Sequence, residues 1–512
     1  MVKRAAGPLM QAIRLDRTSE LALPVQIGDA LRELVLSGAL TAGDRLPATR
    51  TLARELGVAR ATLVECFERL AAEGILETRI GDGTYVSAAV GAERPRQVAV
   101  LTPGAARPAR LARSMALAAS EFTPRLTHQP RPFTTAMPSF DDFPMAQWAR
   151  LSAKHWRKAR HQVLGYPDPH GHAPLRKAIA AHLRFDRGIE CDWRSILIVA
   201  GAQDAFQLIA AALIDPGDPV WFENPGAIGA RNSFVLRGAR LVPVPVDDNG
   251  LVVEAGLARE RNFRLAFVTP SHQQPLGATL SLDRRLALLN AAEAADGWIV
   301  EDDWDGEFRL SGQPLPTLKG IDRGGRVIYV GSFSKSLFPA LRLGFMLPPP
   351  SLADALALSL EAFSPGVPTV VQAVVADFLA EGHFATHVRR MRRIYAERYR
   401  ALSAALAGPL ARWMDPVPTT TGLHTVAFLK PGLSAARLAR AADKRGLTVA
   451  PIDRFCVEPI GREGVVLGFS GFTPAQIGHA TVTLAESLAD IEADGVRSDM
   501  RAGAGIGLPD WP

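Results

Sequence analysis

Lys335 stands in the run Gly331-Ser-Phe-Ser-Lys-Ser-Leu-Phe-Pro-Ala-Leu-Arg-Leu-Gly344, directly after the apolar stretch Arg326 to Val330. A lysine beside a cationic or apolar neighbour at a strand end has a lowered pKa and becomes nucleophilic toward an aldehyde. Ser332 and Ser334 add hydroxyls to the run, and Arg342 adds a guanidinium able to clamp a phosphate through two parallel hydrogen bonds. Trp298-Ile-Val-Glu-Asp-Asp303 ends an apolar strand in acids, where α/β sheets carry ligand groups, and Asp302 there can keep a ring nitrogen protonated. Val199 to Ile209 turns from strand to helix at Gly201 and Ala202, whose backbone N–H groups would face an anion with the helix dipole behind them. An amine, a carboxylate and a phosphate cradle are what pyridoxal 5'-phosphate requires of a protein. Singly each signal is weak: a lone lysine is usually a surface charge, Gly-Ala-Gln usually a turn, and a strand-end acid as often a helix cap.

The elements that must position these groups are legible in outline. β-branched runs at Ile196–Ala200, Pro219–Phe222, Leu265–Thr269, Trp298–Glu301 and Val327–Val330 alternate with Ala/Leu-rich helical stretches, which predicts an α/β domain with a mostly parallel sheet. The chain of 512 residues, 47% hydrophobic and 21% charged, fits a soluble globular protein of two to four domains. Apolar runs such as Ile209 to Ile214 are far shorter than the ~20 residues of a membrane span, and a cytoplasmic location is expected. Three separated cysteines, Cys66, Cys191 and Cys456, form no metal or disulfide pattern and are expected as small buried hydrophobes.

Ahead of this domain, Val25, Ile27, Leu31, Leu34 and Val35 mark one face of a helix over Pro24–Ser37, and Gly38 stops it. After the turn Gly43-Asp-Arg-Leu-Pro47, a helix from Thr49 ends at Gly57 and a second runs from Val58 to Leu70, which is a helix-turn-helix spacing. Its second helix would offer Arg60 and Thr62 to a DNA major groove. Glu73 to Val86 alternates around Gly81-Asp-Gly83 and predicts a hairpin, a wing. The net charge of +6 does not itself argue for DNA, because residues 1–86 hold eleven Lys/Arg and eleven Asp/Glu while 87–130 hold six Arg against two Glu. That Ala/Pro/Arg-rich stretch predicts a linker, with Leu111–Phe122 as a short helix within it.

Residues 20–86 resemble the GntR-type winged helix-turn-helix through the Arg-Leu-Pro turn, the Leu-Ala-x-Glu-Leu-Gly helix and the Glu-Gly-Ile-Leu entry to the wing. Phe133 to Leu488 resembles a fold-type I, class I aminotransferase, with Ser-x-x-Lys and the following Arg as its lysine signature. Together with Thr269-Pro-Ser-His-Gln273 and Ile299-Val-Glu-Asp-Asp303, this identifies the chain as similar to the MocR/GabR transcription regulators over nearly its whole length. The resemblance implies a head over 15–86, a linker over 87–130, a pyridoxal-phosphate-binding effector and dimerisation domain over 131–490 and a tail over 491–512. It implies DNA contacts at Arg50, Arg60, Thr62 and Gly83, with Ala59 in place of a usual serine. It further implies Lys335 as the aldimine lysine, Asp302 at the pyridine nitrogen, phosphate contacts from Gly201, Ala202, Ser332 and Arg342, and Tyr166 reaching the phosphate of a partner subunit. Gln273 or Gln274 stands where an asparagine meets the phenolic oxygen. The implied partners are double-stranded promoter DNA, a second copy of the chain, and an amino-acid-like amine or pyridoxal phosphate itself.

Three departures bear on chemistry. Trp304 lacks the phenol of the usual tyrosine, Ala227 replaces an aromatic that stacks on the ring, and Val465-Val-Leu-Gly-Phe-Ser470 holds no arginine for a substrate carboxylate. Misplacement by even ~1 Å can cost ~100-fold in rate, so a sensor is expected rather than an efficient enzyme, with no residue assigned a catalytic role. A genuine aminotransferase and a vestigial scaffold on a DNA-binding protein are the competing expectations.

Overall fold

In the head the apolar stripe and the glycine stops do what their spacing predicts. The computed structural model describes residues 13–503, apart from 80, 93–109, 111, 125, 127–128, 159–160, 162–163 and 311–314. Two compact units divide at Arg110 and Leu111. The first holds α1 (Leu23–Leu36), α2 (Thr49–Leu56), α3 (Arg60–Ala72) and a hairpin of β1 (Leu76–Arg79) and β2 (Gly83–Val86). Leu31, Leu52, Leu63 and Leu70 are at most 1% exposed, and burying each contributes about 1.5–3 kcal/mol. Gly57 ends α2 at φ 63°, a conformation that favours glycine, so the chain turns directly into α3. The wing is fastened at its base: Gly43 and Leu46 donate to the carbonyls of Val86 and Thr84, and the amide of Val86 donates to Asp44, all at 2.9 Å.

The second unit is built on an eight-stranded sheet. Its strands are β3 (Leu197–Val199), β4 (Pro219–Asn224), β5 (Arg240–Asp247), β6 (Gly250–Leu251), β7 (Leu265–Val268), β8 (Trp298–Asp303), β9 (Val327–Ser332) and β10 (Gly344–Leu347), in the order β3-β10-β9-β8-β7-β4-β5-β6. The pairs β9·β8, β8·β7, β7·β4 and β4·β5 are parallel, whereas β10 runs antiparallel to both β9 and β3. Helices α4 (Ala202–Leu213) and α5 (Ile228–Leu236) follow β3 and β4, and the short α6 (Phe333–Ser336) follows β9. A smaller four-stranded sheet orders β11 (Met414–Pro416), β12 (His424–Leu429), β14 (Gly464–Gly468) and β13 (Ala450–Pro451) as β11-β12-β14-β13.

Two expectations shift. The C-terminal helix α7 (Pro474–Gly503) runs past residue 490, with Ile491 buried at 6% and Glu492 accepting from Trp413 Nε1 at 3.0 Å, so packed structure extends into the stretch 491–512 read as a tail. Residues 504–512 lie outside the described residues. Of the cysteines only Cys66 is fully buried; Cys191 and Cys456 are half-buried. Within the stretch 87–130, Arg113–Glu121 is helical and Asn232 holds Thr123 through two backbone hydrogen bonds, at 3.2 and 2.8 Å. Among the described residues no helix is long and apolar enough to cross a membrane.

Candidate functional site

Lys335 lies in α6, half-buried, immediately beyond the sheet. Ser332 caps that helix, its hydroxyl accepting from the amide of Ser334 at 3.2 Å. Burial pulls the Lys335 ammonium down to about 8, against the opposing pull of Asp305 and Asp302. Asp302 is the penultimate residue of β8, two strands from β10 and beside β9, where it pairs with Val330. It is 4% exposed and its Oδ1 has no hydrogen-bond partner. Burial first, then the neighbouring Asp303, Asp305 and Glu223, holds its carboxyl well above the usual carboxylate range. Asp303 points to the opposite side, where its Oδ2 accepts from Arg187 Nε at 2.6 Å and from the Tyr329 hydroxyl at 2.5 Å.

The turn from β3 into α4 places Gly201 at φ 88° and ψ 169°, a region open essentially to glycine alone. Ala202 is the first helical residue, so its amide has no intrahelical acceptor. Gly344 crosses closely: a Cβ there would lie 2.9 Å from the Gly331 carbonyl oxygen and 3.0 Å from Gly201 Cα. Arg342 takes a left-handed conformation, φ 47°, which costs a non-glycine residue about 1–3 kcal/mol. It is exposed, and among the described residues its side chain has no hydrogen-bond or ion-pair partner.

These features fit pyridoxal phosphate. The orphaned Oδ1 of Asp302 awaits a protonated donor, an unmade hydrogen bond that costs about 1–3 kcal/mol, and the strained Arg342 and the Gly201–Ala202 amides offer donors to an anion. Tyr166 is wholly exposed and makes no part of its own chain's cleft. Of the two candidate glutamines, Gln273 is spent within the protein: its Nε2 donates to Glu223, Pro225 and Gln274, and its Oε1 accepts from Leu276. The side-chain amide of Gln274 is uncommitted among the described residues.

The departures have found other uses. Trp304 donates from Nε1 to the His272 carbonyl at 2.9 Å and clusters with His272 and His424, whose ring centres lie 5.2 and 5.5 Å from its own and 5.6 Å from each other. Asp305 accepts a place beside His272, Oδ2 to Nδ1 at 2.7 Å. Burial lowers the His272 imidazolium and raises the Asp305 carboxyl, so each of the two resists carrying a charge. Ala227 is 4% exposed and packs in the core against the main sheet. On β14, Val466 joins Ile228, Val426 and Phe428 in an apolar cluster. His424 pairs with Gly468 and Val426 with Val466, so these residues share one face of the small sheet.

Sequence reading missed Asp305, His272 and His424 as neighbours of the lysine. His272 was inside a recognised phrase and Asp305 followed Trp304, so their position was readable although their pairing was not. His424 had no local signal. It and His387 are buried, and burial lowers their imidazolium pKa values to about 3 and about 4. The unfolded chain therefore binds protons below pH ~6.5 that the folded chain refuses, and stability falls as pH drops from 6.5 toward 4. His387→Phe is expected to remove up to about 3 kcal/mol of that acid loss, read by calorimetry at pH 7 and pH 4.5; an unchanged difference between the two pH values would show that His387 titrates normally.

In the head, Arg50 and Arg60 are exposed near the starts of α2 and α3, Thr62 is half-buried on the first turn of α3, and Gly83 is exposed at the wing tip. No side chain caps α3, as Ala59 requires. Arg45 had not been singled out: its guanidinium donates to the carbonyl of Asp82 and lies 3.2 Å from where a Cβ on Gly83 would sit.

Two family models match the chain: "Bacterial regulatory proteins, gntR family" over residues 23–86 and "Aminotransferase class I and II" over 135–479. The chain belongs to the transcription regulators in which a GntR-family helix-turn-helix domain precedes a fold-type I aminotransferase domain. It is 39% identical to the "Probable rhizopine catabolism regulatory protein MocR" of Rhizobium meliloti, over 94% of this chain and 97% of that one. It is 31% identical to the pyridoxine biosynthesis transcriptional regulator PdxR of Corynebacterium glutamicum, over 89% and 94%. Among solved structures it is similar to LysN, the α-aminoadipate aminotransferase of Thermus thermophilus, with 28% identity and a TM-score of 0.68 over 75% of this chain and all of that one.

Proposed function

We propose that this regulator holds pyridoxal phosphate at Lys335 and reads either the cofactor itself or an amino-acid-like amine that takes the lysine's place, without efficient turnover. The cofactor, when bound, supplies an aldehyde that condenses with amines and a ring that absorbs visible light. Lys335 supplies the amine, and its lowered pKa keeps a useful fraction unprotonated near neutral pH. Asp302 holds the ring nitrogen's proton; Gly201, Ala202, Ser332 and Arg342 hold the phosphate; Tyr166 serves the partner subunit of a homodimer. The observation that carries the reading is the apolar cluster around Val466, on the sheet face it shares with His424. A cleft that prepares an amine and a ring acid but grips no substrate carboxylate there favours binding over turnover. The test is the purified protein with amino acids and keto acids: visible absorbance without sustained transamination is expected, and turnover at ordinary rates of ~1–10³ s⁻¹ would make it an enzyme instead.

The output of this site is DNA occupancy. The head over 15–86 is taken to read promoter DNA through Arg50, Arg60, Thr62 and Gly83, with residues 87–130 connecting it to the effector and dimerisation domain, in the cytoplasm. Two heads require half-sites about one helical turn, ~34–36 Å, or a multiple apart. Arg60→Ala is expected to weaken operator binding about 10–100-fold while leaving binding to random DNA nearly unchanged, as for a base-edge contact. An equal loss on both DNAs, with the salt dependence flattened by about one unit, would instead place Arg60 on a phosphate.

A further inference from the structure

A cavity of about 290 Å³ opens beside the acidic end of β8, lined by Arg187, Arg285 and Arg309, by the hydroxyl-bearing Ser271 and Thr421, and by one acid, Asp186. Its charges do not cancel within it. Asp186 is bonded to His182 Nδ1 at 2.8 Å. Arg187 is shared between Asp303 at 2.6 Å and Glu307 at 3.0 Å. Arg285, 1% exposed, donates to the carbonyls of Leu280 and Pro270, each at 2.9 Å, and is left with an unbonded Nη1 4.0 Å from Glu301. Glu301 is a poor counter-ion: its oxygens already accept from the amides of Leu318 and Lys319, and burial pushes its carboxyl up to about 7. Arg309 has neither an ion pair nor a side-chain hydrogen bond among the described residues, and its Nε is buried.

We propose that this cavity binds a small oxyanion, a phosphate or a carboxylate, held by Arg285 and Arg309 and separate from the cofactor's own phosphate cradle. Guanidinium groups match such anions in charge and in planar donor geometry, and a buried guanidinium N–H without an acceptor is costly, so an oxyanion supplies what the protein leaves unmade. The volume is at the lower end of ligand sites, ~300–1,000 Å³, and suits an anion of a few heavy atoms with some water rather than a nucleotide. Ser271 and Thr421 also stand in the wall, the Thr421 hydroxyl donating to the Phe308 carbonyl at 3.1 Å, so the guanidinium groups are the donors left for the anion.

The proposal does not depend on the cofactor reading, and its test keeps the two apart. Full-length protein, with and without saturating pyridoxal phosphate, is titrated calorimetrically with inorganic phosphate and, in a second arm, with succinate. In the cofactor-saturated protein, where the phosphate cradle is filled, saturable binding of one anion per chain is expected, while cofactor-free protein takes up a second phosphate at the cradle; the tighter arm names the source. With pyridoxal phosphate saturating, Arg309→Gln should weaken this binding about tenfold or more, the scale of one charge-assisted hydrogen bond, while Arg342→Gln should leave it unchanged. Binding lost in Arg342→Gln and kept in Arg309→Gln would assign it to the phosphate cradle and overturn the proposal. Absence of saturable binding by either anion in the wild-type chain would do the same, whether or not any variant folds.

Discussion

Lys335→Ala should abolish the saturable, red-shifted absorbance that the wild-type chain acquires with pyridoxal phosphate, leaving only the spectrum of the unattached cofactor. The variant removes the one amine that the cleft prepares, and no second lysine is singled out by the geometry around Asp302. Persistence of the wild-type spectrum in the variant would overturn the assignment. The same residue makes an opposite prediction for the cofactor-free protein. Its folded pKa, about 8, lies below the value of ~10.5 for an unfolded lysine. Between those values the unfolded chain binds more protons, so the penalty for burying Lys335 is fully present below pH 8 and fades as pH rises to about 10.5. Lys335→Met, which keeps the aliphatic stem, is therefore expected to stabilise the cofactor-free protein by up to about 3 kcal/mol at pH 7 and by almost nothing at pH 10.5. Denaturant melts at the two pH values check it, and equal effects at both would show the lysine to be well solvated.

The second large effect belongs to Asp302. Its Oδ1 has no partner and its carboxyl is held well above the usual range, so in the cofactor-free state it is a burden on the fold. A carboxyl whose pKa is raised on folding costs stability as pH rises above ~3.9, where the unfolded chain ionises and the folded one resists. Asp302→Asn should relieve that cost and raise the melting temperature of cofactor-free protein at pH 7. In the loaded state the sign reverses: a lost charge-assisted hydrogen bond of about 1.5–3 kcal/mol should weaken pyridoxal phosphate about 10–100-fold. Unchanged affinity in the variant would remove Asp302 from the ring nitrogen. A stabilising, function-damaging substitution is the behaviour expected of a site that stores an unmade bond.

What could be read without coordinates follows the physics of each signal. Helices α1 to α3 were legible because glycines stop them and apolar residues repeat at helical spacing. The central strands were found from β-branched runs, but β4 and β8 continue through Glu223-Asn224 and Asp302-Asp303, beyond where an apolar run stops. Glu223 and Asp303 are buried with partners from elsewhere in the chain: Thr269 and Gln273 bond Glu223, and Arg187 and Tyr329 bond Asp303. Lys335, Asp302 and Gly201 were legible as types at strand ends. The choice between Gln273 and Gln274 was not, since it depends on which amide the neighbouring backbone consumes. Nor was the cluster of His272, Trp304 and His424, which joins three distant segments.

The antiparallel strand β10 carries a consequence for how the molecule is made. It pairs Gly344 with Val199 on one side and with Ser332 on the other, so the turns bearing Gly201, Lys335 and Arg342 meet only after the intervening chain has been synthesised. Pairings that distant in sequence form late, whereas the head depends on near neighbours and leaves the ribosome first. Each new polypeptide thus completes its head before the turns of the cleft are brought together.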